Sequence, residues 1–130
     1  MKYIVLLVFF IIGCAGNQQS VKNANYPDWV FNAPSEGGIC YVGSSLPHIR
    51  GIPYQRALAI SRAIEGIARQ KNVTVDVDVE HLMYGSSNSA TSKLSVYSVQ
   101  TTTGQTVKAK IKEVWRDPYK EELFVLMCED

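Results

Sequence analysis

Histidine, cysteine and net charge are all scarce in this sequence, and each scarcity removes a class of chemistry. The 130 residues hold two histidines, three cysteines and a formal net charge of +1. A nucleic-acid binder needs a clustered basic excess to meet phosphates, so no nucleic-acid partner is expected. Cys14, Cys40 and Cys128 match no zinc or redox spacing. His48 and His81 each lack a second ligand at metal spacing and read as surface or loop residues, so neither a metal nor a cofactor is expected. Ser44 and Ser45 follow a glycine but sit in no Gly-x-Ser-x-Gly, and no Gly-rich phosphate loop or internal repeat occurs. A hydrolase would require His48 or His81 to approach a serine and an acid. No residue set stands behind catalysis, and the chain reads as a non-enzyme.

A long hydrophobic run is missing too. The uncharged stretch from Tyr3 to Gly13 falls short of the ~20 apolar residues a membrane-spanning helix needs. It fits instead the apolar core of a secretory leader, with Lys2 as the positive flank. Ile11, Ile12 and Gly13 are wrong for Ala-x-Ala cleavage. They resemble a bacterial lipobox, in which the following cysteine, here Cys14, takes a diacylglycerol and becomes the acylated N-terminus. Two or three chains on that residue make a stable anchor. The alternative is a plain leader with a structural Cys14. Residues 1–13 are thus expected as a lipoprotein signal peptide, and residues 14–25 as the acylated terminus and tether. The polar run "AGNQQSVKNAN" has a coil reach on the order of 18 Å. Ala15, rather than Asp, after the cysteine favours the outer membrane by resemblance to lipoprotein sorting rules.

What is present fits one globular domain over residues 26–130, with 46% hydrophobic and 19% charged residues in the whole chain. "YPDWVFNAPSEGG" reads as extended between its prolines. "ICYV" reads as a strand closed by Gly43. In "PYQRALAISRAIEGIARQKN", Ala57, Ile60, Ile64 and Ile67 recur at steps of three and four, predicting a helix opened by Pro53 and stopped near Asn72. Arg62, Glu65 and Arg69 lie opposite, spaced for weak ion pairs. The period then changes to two. "NVTVDVDVEHL", "KLSVYSVQTT", "TVKAKIKEVW" and "EELFVLMCE" read as strands, with turns at Thr103–Gln105 and at Asp117–Pro118. The fold class is α+β, one amphipathic helix on an antiparallel sheet in β-α-β-β-β-β order.

The lipobox, "PDWV", "YVGSS" and "QRALAISRA" together resemble the Lpp-twenty family of small outer-membrane lipoproteins, distantly like the flagellar basal-disk lipoprotein. Trp29, Tyr41, Gly43 and Ala57 are the matching positions, over roughly residues 26 to 128. The resemblance implies a lipid-anchored α+β domain with a structural or partner-binding role, in some members supporting the flagellar motor. It carries no catalytic residues.

Four constellations follow from the strand pattern. Asp76, Asp78 and Glu80 would form one outward row and Lys108, Lys110 and Lys112 another, roughly 10 Å apart with one strand between. They could dock between copies, giving self-association, or serve only to keep strand edges soluble. Cys40 and Cys128, in the first and last strands, could form a disulfide or remain two buried thiols. Ala59, Ala63 and Gly66 make a shallow strip for close backbone approach, chiefly to the helix's own sheet. Trp29 and Phe31 are expected to be buried, and exposure would make them a platform for a small ligand or peptidoglycan. The expected partners are the outer membrane, through the lipid, and another copy or another envelope protein. The domain is expected in the periplasm, with cell-surface exposure left open.

Overall fold

The computed structural model describes residues 25–34, 38–85 and 96–130. The leader, Cys14 and its tether as far as Ala24, and most of the loop after Tyr84, lie outside these residues. The apolar stripe of the central segment makes a helix, α1 (Ile52–Gln70), in which Ile60, Ile64 and Ile67 are wholly buried. Pro53 sits in its first turn, where a missing N–H costs nothing. At the other end Asn72 turns left-handed (φ 57°). Its N–H bonds Arg69 O at 3.0 Å and that of Val73 bonds Ala68 O at 3.0 Å, satisfying the last carbonyls.

Four strands, β1 (Cys40–Ser45), β2 (Val96–Gln100), β3 (Thr106–Arg116) and β4 (Leu123–Glu129), form an antiparallel sheet in the order β1-β4-β3-β2. The α+β class and the packing of one main helix on an antiparallel sheet are as expected. Val107, Ala109 and Ile111 of β3 and Leu123, Val125 and Met127 of β4 face α1 in one core. The alternate residues Leu126 and Cys128 of β4 meet Trp29 on the other face. From Leu123 to Cys128, β4 is therefore buried on both sides. A bulge at Lys112 keeps this arrangement beyond Ile111, since Ile111 pairs with Met127 but Glu113 already pairs with Leu126. The extra residue returns Val114 to the Val125 face and Trp115 to the Phe124 face.

The element order differs from the expected one. No strand runs from Val73 to Glu80: the stretch makes one isolated bridge, Val75 with Thr101, and then a second helix, α2 (Val79–Gly85). Asp78 is the reason. Its Oδ1 accepts the N–H groups of Glu80 (3.0 Å) and His81 (3.2 Å), a cap that diverts the chain from pleat to helix. Two further expectations change. Asp28–Val30 is a 3-10 turn, closed by Val30 N to Pro27 O at 3.1 Å, where an extended segment was expected. β1 also runs through Gly43 instead of ending there.

Candidate functional site

The side of the molecule where β1 meets α1 and the first described residues holds most of the singled-out positions. The strip of small residues receives β1: Gly43 lies against the backbone of Ala59 and Ala63, and the Tyr41 ring lies over Gly66. Ile39 O accepts the Glu129 N–H at 2.8 Å, so the next residue, Cys40, and its alternates Val42 and Ser44 turn their backbone groups to the outer edge of the sheet. Side chains of α1 cover much of that edge. Gln70 Nε2 donates to Cys40 O (3.3 Å) and Arg62 Nη1 to Ser44 O (2.7 Å). The ion pairs expected among Arg62, Glu65 and Arg69 give way to these contacts. Arg69 reaches Tyr41, its Nη2 3.3 Å from the hydroxyl.

Beside this edge lies a cleft of about 510 Å³, lined among others by Val30, Phe31, Tyr41, Val42 and Gln70. The two rings expected to share one fate separate. Trp29 is half-buried on Cys40, Leu126 and Cys128, whereas Phe31 is 74% exposed at the cleft. Cys40 and Cys128 are opposite each other in the β1–β4 register and joined as a disulfide.

Buried polar groups at the far end of β1 act as joints. Gln55 Nε2 donates to Ser45 O (3.0 Å) and Glu121 O (2.8 Å), and its Oε1 accepts from Arg116 Nη2 (3.1 Å). Ser45 Oγ donates to Gln55 O. Asp117 is 1% exposed. Its Oδ2 accepts from Tyr26 Oη at 2.7 Å, and its Oδ1 accepts the N–H groups of Tyr119 (2.8 Å) and Lys120 (3.1 Å). The Tyr26 hydroxyl, ahead of those backbone donors, holds the Asp117 carboxyl below its ordinary range against the opposing effect of burial. The same bond, with burial, raises the Tyr26 hydroxyl. Tyr26 also packs on Trp115 (4.9 Å between ring centres), Phe31 (5.3 Å) and Phe124 (5.7 Å).

The charged rows are not both rows. Asp76 is exposed, Asp78 caps α2, and Glu80 accepts from Arg50 Nη1 at 2.9 Å, so the acidic side chains follow no pleat. Lys108 and Lys110 do share a sheet face, opposite Ser98 and Val96, while Lys112 occupies the bulge. β2 lies between these lysines and the Val75 bridge. The segment around His48 is a loop, as its Pro47 and Gly51 led one to expect, but the exposure of Leu46, Ile49 and Ile52 was not legible, because aliphatic residues with no period carry no signal. His48 Nδ1 accepts the Arg50 N–H (3.1 Å), and His81 is exposed on α2. Among the described residues no group of His, Cys, Asp and Glu is placed to hold a metal ion, and no helix is long and apolar enough to cross a membrane. Comparison with protein-family models, with curated proteins and with solved structures finds no match.

Proposed function

We propose that this chain is a lipid-anchored outer-membrane lipoprotein of the Lpp-twenty kind, whose domain serves the cell envelope by binding other proteins. The disulfide carries the reading. Cys40 and Cys128 are consumed by each other, a bond suited to an oxidising compartment such as the periplasm. Cys14 is then the one cysteine left over, and it stands directly after Ile11-Ile12-Gly13. The buried polar side chains agree with a structural role, since Ser45, Gln55 and Asp117 all spend their hydrogen bonds on joining loops to strands. Support of the flagellar motor is the narrower role suggested by the sequence resemblance.

The test is to express the full chain in a Gram-negative host fed a clickable palmitate analogue. Label on the protein in the outer-membrane fraction, lost in Cys14→Ser, is the expected result. Equal labelling of the variant, or none of either, would refute the anchor. The exposure of Phe31 favours a second reading, in which the cleft takes a small envelope ligand. Titration with soluble peptidoglycan fragments checks it, and Phe31→Ala should then weaken binding about tenfold.

A further inference from the structure

The loop between β1 and α1 reads Leu46-Pro47-His48-Ile49-Arg50-Gly51, and α1 opens with Ile52. Gly51 N donates to His48 O at 2.9 Å, closing a tight turn with Ile49 and Arg50 at its corners. Both neighbours of Ile49 are held down. The His48 ring lies 4.3 Å from that of Tyr54, and the Arg50 guanidinium sits 4.8 Å over the same Tyr54 ring while bonding Glu80. The turn therefore presents the Ile49 side chain outward, 98% exposed, with Leu46 at 62% and Ile52 at 52% beside it. Single exposed aliphatic residues are ordinary, but here three fall within seven residues, two on the braced loop and one at the start of α1.

The position of the patch favours one occupant. Ser45 pairs with Leu123, which also pairs with Arg116, so the loop leaves the sheet at the same end as the β3–β4 turn. Tyr26 bonds Asp117 in that turn, so the first described residues stand at that end. Between Cys14 and Tyr26 the chain spans at most roughly 40 Å, at ~3.3–3.6 Å per residue. Tyr119, 59% exposed, and Lys120 stand at the same end, giving an amphipathic ring and a cation of the kind that settle at a membrane interface. Glu121 and Glu122 there limit attraction to anionic lipid, so the contact is chiefly apolar.

We propose that the His48–Gly51 turn seats Ile49, with Leu46 and Ile52, in the surface of the bilayer that holds the Cys14 lipid, so that the domain rests on the membrane in one orientation. This rests on the lipoprotein reading above.

The test uses the full acylated chain carrying Ile49→Cys, labelled with an environment-sensitive fluorophore and reconstituted in vesicles of phosphatidylethanolamine and phosphatidylglycerol. Cys40 and Cys128 are bonded and Cys14 is acylated, so the new thiol alone reacts. The expected result is a blue-shifted emission, quenched by nitroxide lipid, with no shift for a label at Thr103→Cys in the opposite turn. A label at 49 that stays in water on an acylated, vesicle-bound chain overturns the proposal and leaves the anchor standing. A shift that needs no lipid and grows with protein concentration also overturns it, naming a second copy as the occupant. An unacylated Cys14 refutes the anchor by itself. The Cys14→Ser chain then decides the contact, because Ile49→Ser should weaken its vesicle binding about tenfold, and no difference overturns the proposal. Ile49 lies outside the core, so an unchanged Tm for Ile49→Ser shows that the variant is folded.

Discussion

A methyl group on Gly43 would stand 1.9 Å from the Ala59 carbonyl oxygen and 2.6 Å from the Ala63 nitrogen. Both obstacles are helix backbone, so a whole element must move to admit it. Gly43→Ala is expected to cost about 3 kcal/mol, the upper part of the range for overpacking, and thermal unfolding would show a Tm lower by more than about 10 °C. Gln55 works by satisfaction of partners, not by volume. Gln55→Leu would strip the Arg116 guanidinium of one acceptor and the Ser45 and Glu121 carbonyls of their donor, a loss of about 2–3 kcal/mol by denaturant titration. Asp117 and Tyr26 titrate in opposite senses. The Asp117 carboxyl is held below its ordinary 3.8, so its contribution is present above that pH and disappears as pH falls through the lowered value. The Tyr26 hydroxyl is raised above 10.0, so its contribution is present below that pH and is lost as alkali passes the raised value. Tyr26→Phe should flatten both limbs of a Tm-against-pH curve, whereas Asp117→Asn should remove the acid limb.

At the scale of elements, α1 was legible because its stripe of Ala57, Ile60, Ile64 and Ile67 is dictated by burial, and burial is what a period of 3.6 records. The strip of Ala59, Ala63 and Gly66 was legible for a related reason, since small residues in a row imply a close neighbour. The run Val73 to Glu80 misled because its alternation is real while its hydrogen bonds are not. An aspartate serves a helix cap better than a strand ladder, and no periodicity reveals which backbone groups a side chain will claim. Asp78→Ala should cost about 1 kcal/mol and speed hydrogen exchange at the Glu80 and His81 amides while leaving those of α1 unchanged. The partition of Trp29 from Phe31 was hidden as well. It depends on how far the first described residues reach across β4, which is a matter of tertiary packing. The cysteines could be narrowed to a pair of strands, but their opposition in register required knowing that β4 returns beside β1.

For the whole molecule, the disulfide closes a loop of sequence separation 88. Removing it in a Cys40→Ala, Cys128→Ala double variant should cost about 4.6 kcal/mol in the chain-entropy account, matched by adding reductant to the unaltered protein. Salt should have little effect on assembly. Glu80 is paired with Arg50 and Asp78 is committed to α2, so of the expected acidic row only Asp76 is left for Lys108 and Lys110 of a neighbour to meet. Light scattering is expected to give the same mass at low and high ionic strength, and a mass that falls with salt would restore docking between rows. The adjacency of β1 and β4 has a further consequence, in time rather than space. Among the described residues the first strand pairs with one synthesised about 4–18 s later, at ~5–20 residues per second. Until β4 emerges, nothing joins β1 to β3, and the nascent chain cannot close into its native sheet. A polypeptide built in this way remains threadable through a narrow channel until its β4 segment has been made.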